Sequence, residues 1–98
     1  MLEVRETHEF SKWLRNLRDG HARSRILVRI ARLAHGNAGD VQPVGDGISE
    51  LRINYGPGYR VYYVQRGTRY ILLLAGGSKS TQDSDIAEAK RLADKYEE

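Results

Sequence analysis

Three cations stand out in a stretch otherwise built from tyrosine and branched aliphatic residues: Arg52, Arg60 and Lys79. Arg52 lies within Leu51-Arg52-Ile53-Asn54-Tyr55, Arg60 opens the run Tyr59-Arg60-Val61-Tyr62-Tyr63-Val64-Gln65, and Lys79 follows Gly76-Gly77-Ser78. An arginine fork matches the geometry of a phosphate, and a strand holds such a fork rigidly enough to act on developing charge. Arg60 is therefore the first candidate for a phosphate clamp. Arg52 falls on the neighbouring strand, within reach of the same phosphate. Lys79 comes after two glycines, where backbone can approach a ligand closely, and is a candidate to neutralise charge or exchange a proton. Around them, Tyr59 and Tyr62 are candidates to stack on a base or to pack within the sheet. Gln82 is placed either to read a base edge or simply to sit in the first turn of a helix.

The elements that must position these residues follow from periodicity. Glu50 to Lys79 reads as two successive hairpins, a three-stranded antiparallel meander. Leu51, Ile53 and Tyr55 share one face, with Arg52 and Asn54 on the other; Arg60, Tyr62 and Val64 share a face opposite Val61 and Tyr63. Pro57-Gly58 suits the centre of a type II turn. Tyr70 to Ala75 is apolar on both faces and reads as the central strand. The sheet is expected to have one face on helices and one partly open. Upstream, Leu2 to Arg5 alternates as a short first strand. Phe10, Trp13, Leu14 and Leu17 then make the apolar face of a first helix capped by Thr7, broken at Asp19-Gly20. A second helix runs from about His21 to His35, with Ile26, Ile30 and Leu33 inward and Gly36 at its C-terminal cap. Asn37 to Gly47 reads as a loop. Asp83 and Asp85 favour the start of a last helix through its dipole. The order is α+β, within one domain spanning residues 1–98.

Composition narrows the classes. The net charge is +3 over 98 residues, and most of the 16 cations are arginine. Arg15, Arg18, Arg23, Arg25, Arg29 and Arg32 lie on the polar faces of the first two helices, either gripping nucleic acid nonspecifically or simply solvated. There is no cysteine, so no disulfide framework or thiolate metal site arises. His8, His21 and His35 are too far apart for a helical ligand pair. No cofactor and no metal is expected. No apolar run approaches a membrane span or a signal peptide, so the expected location is cytoplasmic, without a membrane partner.

Leu51-Arg52, Gly58-Tyr59-Arg60-Val61-Tyr62-Tyr63 and Gly77-Ser78-Lys79-Ser80-Thr81-Gln82-Asp83-Ser84-Asp85-Ile86 together resemble the RelE/ParE toxin superfamily, most nearly its HigB-like group of addiction-module killer proteins. The likeness covers nearly the whole chain and implies a small RelE-like fold. It further implies the toxin of a type II toxin–antitoxin module: a ribosome-dependent endoribonuclease that cuts messenger RNA without metal. Implied partners are a cognate helix-turn-helix antitoxin, the ribosome with its message, and operator DNA reached only through the antitoxin. In the family pattern Arg60 matches the arginine after Gly-Tyr, Lys79 the basic residue after the last strand, and Arg52 a basic position approximately. Relatives carry a tyrosine or histidine near the start of the last helix; here the positions are Asp83-Ser84-Asp85-Ile86, which leaves Lys79, Asp83 or Asp85 for proton transfer. The alternatives are a ParE-like DNA gyrase inhibitor and a non-catalytic binding module.

Overall fold

The computed structural model describes residues 1–97. Among them, one sheet of five strands runs in the order β1-β5-β4-β3-β2. The strands are β1 (Glu3–Glu6), β2 (Val41–Gly45), β3 (Ile48–Ile53), β4 (Tyr59–Arg66) and β5 (Tyr70–Ser78); the helices are α1 (His8–Arg15), α2 (Gly20–Ala34) and, after a single 3-10 turn over Lys79–Thr81, α3 (Gln82–Lys95). β1 joins the edge of β5 in parallel, and the other pairings are antiparallel. The α+β architecture expected from the element order is thus present.

Local chemistry sets the helix ends. Thr7 accepts from Phe10 N at 3.0 Å and caps α1, and its hydroxyl also donates to Leu74 O at 2.7 Å. That second bond pins the point where Leu74 is left over by a bulge in the β4–β5 ladder. Asp19 caps α2 through His21 N and Ala22 N. α2 ends in a Schellman arrangement: Gly36 N donates to Leu33 O and Asn37 N to Arg32 O, with Gly36 at φ 92°.

Both faces of the sheet are covered, which corrects the expectation of a partly open face. On one side Phe10 of α1 and Ile26, Ile30 and Leu33 of α2 pack on Leu51, Ile53, Val61, Tyr63, Ile71 and Leu73. On the other, Ala89 and Leu92 of α3 pack on Ile48, Tyr62, Val64, Tyr70, Leu72 and Leu74. The near-continuous apolar run of β5 reflects this double burial, although β4 holds the middle of the sheet and β5 lies beside it.

Two further readings change. The segment that reads as a loop contains β2, paired with β3 and bulged between Pro43 and Gly45; proline is tolerated because this is an edge strand. The meander therefore has four strands. The β3–β4 turn is closed by Gly58 N donating to Tyr55 O at 3.1 Å, so Gly56 and Pro57 occupy its centre. Gly56 and Gly58 both take positive φ, which the Pro57-Gly58 reading had required of Gly58 alone.

Candidate functional site

The α3 face of β3 and β4 carries a buried acid at its centre. Strand alternation and the β3–β4 register bring Glu50, Arg52, Arg60 and Tyr62 to one place: Glu50 is opposite Tyr62, and Arg52 opposite Arg60. The Glu50 side chain has no solvent exposure. Its two oxygens divide the work. Oε1 accepts from Arg52 Nε at 2.9 Å and lies 3.7 Å from Arg60 Nε. Oε2 accepts from the Tyr62 hydroxyl at 3.1 Å and from Gln82 Nε2 at 2.6 Å. Burial alone would raise the Glu50 pKa, but the hydrogen bonds from Arg52, Gln82 and Tyr62 and the charge of Arg60 outweigh it and hold the carboxyl below its ordinary value of 4.5. The anion in turn strengthens Arg52's hold on its proton. Burial, joined by the Glu50 charge, keeps the Tyr62 phenol protonated well above its usual range.

This arrangement grips Arg52 through its inner nitrogen and holds Arg60 by charge alone, its inner nitrogen 3.7 Å from the same carboxylate oxygen. Arg60 is nearly buried, at 12% side-chain exposure. Among the described residues its Nε has no hydrogen-bond partner, and Nη1 lies 3.4 Å from Gly58 O. Arg52, at 32% exposure, keeps its terminal nitrogens without a protein partner among the described residues. Two cations against one anion leave the cluster one positive charge, and of the two forks it is that of Arg52 whose outer edge is open to a phosphate.

The structure thus brings Arg52, Arg60, Tyr62 and Gln82 together through Glu50, the residue that sequence reasoning passed over. Lys79 lies apart from Glu50: it is exposed, and its backbone N–H donates to Gly58 O at 2.8 Å, so it sits at the rim beside the β3–β4 turn. Tyr62 is fully buried, so its ring has no face for a base, and only its hydroxyl reaches the cluster. Tyr59 points to the other side of the sheet, where it meets Trp13 edge-on at 6.3 Å. Gln82 is bound to the carboxylate, and a base edge would have to displace that bond. Asp83 is exposed, while Asp85 accepts from Thr81 Oγ1 at 2.5 Å.

The arginines of the first helices are partly structural. Arg29 donates to the carbonyls of Arg52, Ala38 and Asp40, Arg23 to those of Leu14 and Leu17, and Arg25 lies over the Tyr55 ring at 4.7 Å. A cavity of about 480 Å³ between α2 and β3 is lined by Arg25, Arg29, Arg32, Val28 and Ile53. It lies on the opposite face of the sheet from Glu50. Among the described residues there is no metal-binding group of His, Asp and Glu, and no helix is long and apolar enough to cross a membrane.

The architecture is that of a RelE-like fold. The structure is similar to a doubly substituted form of the Escherichia coli toxin RelE in the free state, with a TM-score of 0.75, 12% identity, and coverage of 92% of this chain and 95% of that one. It is also similar to a conserved hypothetical protein of Helicobacter pylori, with a TM-score of 0.54, 22% identity, and coverage of 82% and 97%. Residues 12–97 match the family described as phage-derived protein Gp49-like (DUF891), and the chain belongs to that family. An uncharacterized protein of Haemophilus influenzae is 48% identical over 92 residues, 94% of this chain and 93% of that protein.

Proposed function

We propose that this chain is the toxin of a type II toxin–antitoxin module, of the HigB-like branch, and that it cleaves messenger RNA on the ribosome without metal. The observation that carries the reading is the Glu50-anchored pair Arg52 and Arg60, two guanidinium groups fixed side by side at the end of a RelE-like sheet. In such a cleavage the 2′-hydroxyl attacks the neighbouring phosphorus, a 2′,3′-cyclic phosphate forms and the 5′ oxygen leaves. Negative charge grows on the phosphoryl oxygens in the transition state. In this reading Arg52, oriented by its hydrogen bond to Glu50, and Arg60, held beside the same carboxylate, meet that charge. Glu50 itself is saturated by donors and sealed from solvent, so its role is positioning. Lys79, exposed at the rim, is the cation left to exchange a proton with the reacting oxygens.

The partners in this reading are a helix-turn-helix antitoxin encoded beside the gene, the ribosome with its message, and operator DNA reached through the antitoxin; the site of action is cytoplasmic. The test is expression in a sensitive host with primer-extension mapping of a reporter message. The wild-type chain arrests growth and produces ribosome-dependent cuts. Arg60→Ala loses both while retaining its circular dichroism spectrum and antitoxin binding. Growth arrest with intact messages and inhibited supercoiling would replace the nuclease with a gyrase inhibitor, and a fully toxic Arg60→Ala would remove Arg60 from the mechanism.

A further inference from the structure

β1 pairs with β5 only from Tyr70 to Leu73. Beyond that point no strand among the described residues lies beside this edge of β5, and a cavity of about 450 Å³ wraps around it. Trp13 and Tyr59 line the cavity on the α1 side, Thr81 and Asp85 on the α3 side, with Gly76 and Gly77 between them. The two glycines let both walls lie directly on the backbone: a Cβ on Gly76 would fall 2.2 Å from the Trp13 ring, and one on Gly77 would fall 1.7 Å from Asp85 Oδ2. Trp13 and Tyr59 meet at 66°, so the ring faces are not used up on each other, and both residues are only half-buried.

Asp85 is oriented by the Thr81 hydroxyl at 2.5 Å, and among the described residues no lysine or arginine pairs with it. It is an acceptor without an internal donor beyond that one bond. Gly77, on which it rests, is the ladder partner of Arg60, so the carboxylate lies against the strand next to the one that carries Arg60. Aromatic walls select a flat heterocycle. A carboxylate selects adjacent N–H donors and repels carbonyl oxygens. Guanine presents N1–H and N2–H side by side on its Watson–Crick edge. Adenine and cytosine place a ring acceptor beside their single amino group, and uracil flanks its one N–H with two carbonyls.

We infer that this cavity is a guanine-selective base pocket, with the base stacked on Trp13, Tyr59 standing against its edge, and Asp85 accepting from N1–H and N2–H. The inference rests on the reading of the chain as an RNA-directed protein and names the base it favours.

Trp13 is the only tryptophan, so a base stacked in the cavity quenches the intrinsic fluorescence. Titration with the 3′-monophosphates of guanosine, adenosine, cytidine, uridine and inosine is expected to rank guanosine first. Uridine falls roughly ten- to hundred-fold weaker, the discrimination typical of a bidentate contact. Inosine, which lacks the N2 amino group, falls between them and tests the carboxylate without any mutation. Asp85→Asn is expected to abolish the guanosine preference. Absence of quenching, equal quenching by all five nucleotides, or a guanosine preference unchanged in Asp85→Asn overturns the pocket. The titration needs no ribosome. A chain that binds guanosine selectively but cuts no message defeats the nuclease reading alone, and one that cuts messages but binds no nucleotide selectively defeats the pocket alone.

Discussion

Glu50 organises the candidate site without being exposed to any ligand. A buried carboxylate costs several kcal/mol to desolvate and is tolerated here because four groups on β3, β4 and α3 converge on it. Glu50→Ala leaves Arg52 and Arg60 facing each other across the ladder with no anion between them. The expected loss is about 3–5 kcal/mol of stability, read from urea unfolding. The pH dependence has a definite sign. The folded-state pKa of Glu50 lies below its ordinary value of 4.5, so its contribution is fully present above that value and is lost as pH falls through the lower, folded-state pKa. Wild-type stability should fall more steeply below about pH 4.5 than that of Glu50→Gln, which cannot titrate; parallel acid limbs would show that Glu50 is not the group involved. Arg52 and Arg60 were legible as candidates because an arginine fork on a strand suits a phosphate. Glu50 was not, although its two-residue spacing from Arg52 placed both on one face. Its meaning depends on the β3–β4 register, which sets it opposite Tyr62, and on α3 folding back to deliver Gln82.

The elements most constrained by this arrangement are the end of β5 and the arginine-laced α2. Gly76 is read from sequence as a place of close approach, and the approaching group is the Trp13 ring. Gly76→Ala should cost about 1–3 kcal/mol through overpacking and shift the Trp13 emission maximum. Combined with Trp13→Leu its penalty should shrink, a coupling that a double-mutant cycle measures. Arg29 reads from sequence as a nucleic-acid grip or a solvated cation, yet it ties α2 to the chain entering β2 and to the end of β3 through three carbonyls. Arg29→Ala is expected to lose about 2 kcal/mol, whereas Arg15→Ala, at an exposed position, should change stability by less than about 0.5 kcal/mol. Equal effects in urea unfolding would remove the distinction. Helices were legible because caps and apolar spacing are local: Thr7, Asp19 and Gly36 sit at three of their ends. β2 was not, because Gly, Asp and Pro surround its two valines and its pairing with β3 comes from tertiary context. The covered α3 face was hidden for a related reason, since Arg52 and Arg60 look solvent-facing until the acid between them is placed.

At the scale of the whole molecule, one sheet serves two cores, with α1 and α2 packing on one side and α3 on the other. The candidate site lies where these layers meet: β3 and β4 supply the cations and the acid, and α3 supplies Gln82 and Asp85. Loosening α3 should therefore reach the site even from its far end. Leu92 is fully buried, on the same helix as Gln82 and Asp85 but about two turns beyond Asp85 and nearly three beyond Gln82. Leu92→Ala should cost about 2–5 kcal/mol. If the sheet couples both cores, unfolding stays a single transition, with Trp13 fluorescence on the α1 side and far-UV circular dichroism following the same curve. If instead α3 detaches first, ellipticity falls before Trp13 responds, and the Gln82–Glu50 bond is lost in a chain whose other core is intact. Coincident curves for wild type and Leu92→Ala are the expected result. They would mean that the guanidinium pair is held by the stability of the entire fold, so that substitutions in either core weaken the site in proportion to the fraction of chain they unfold.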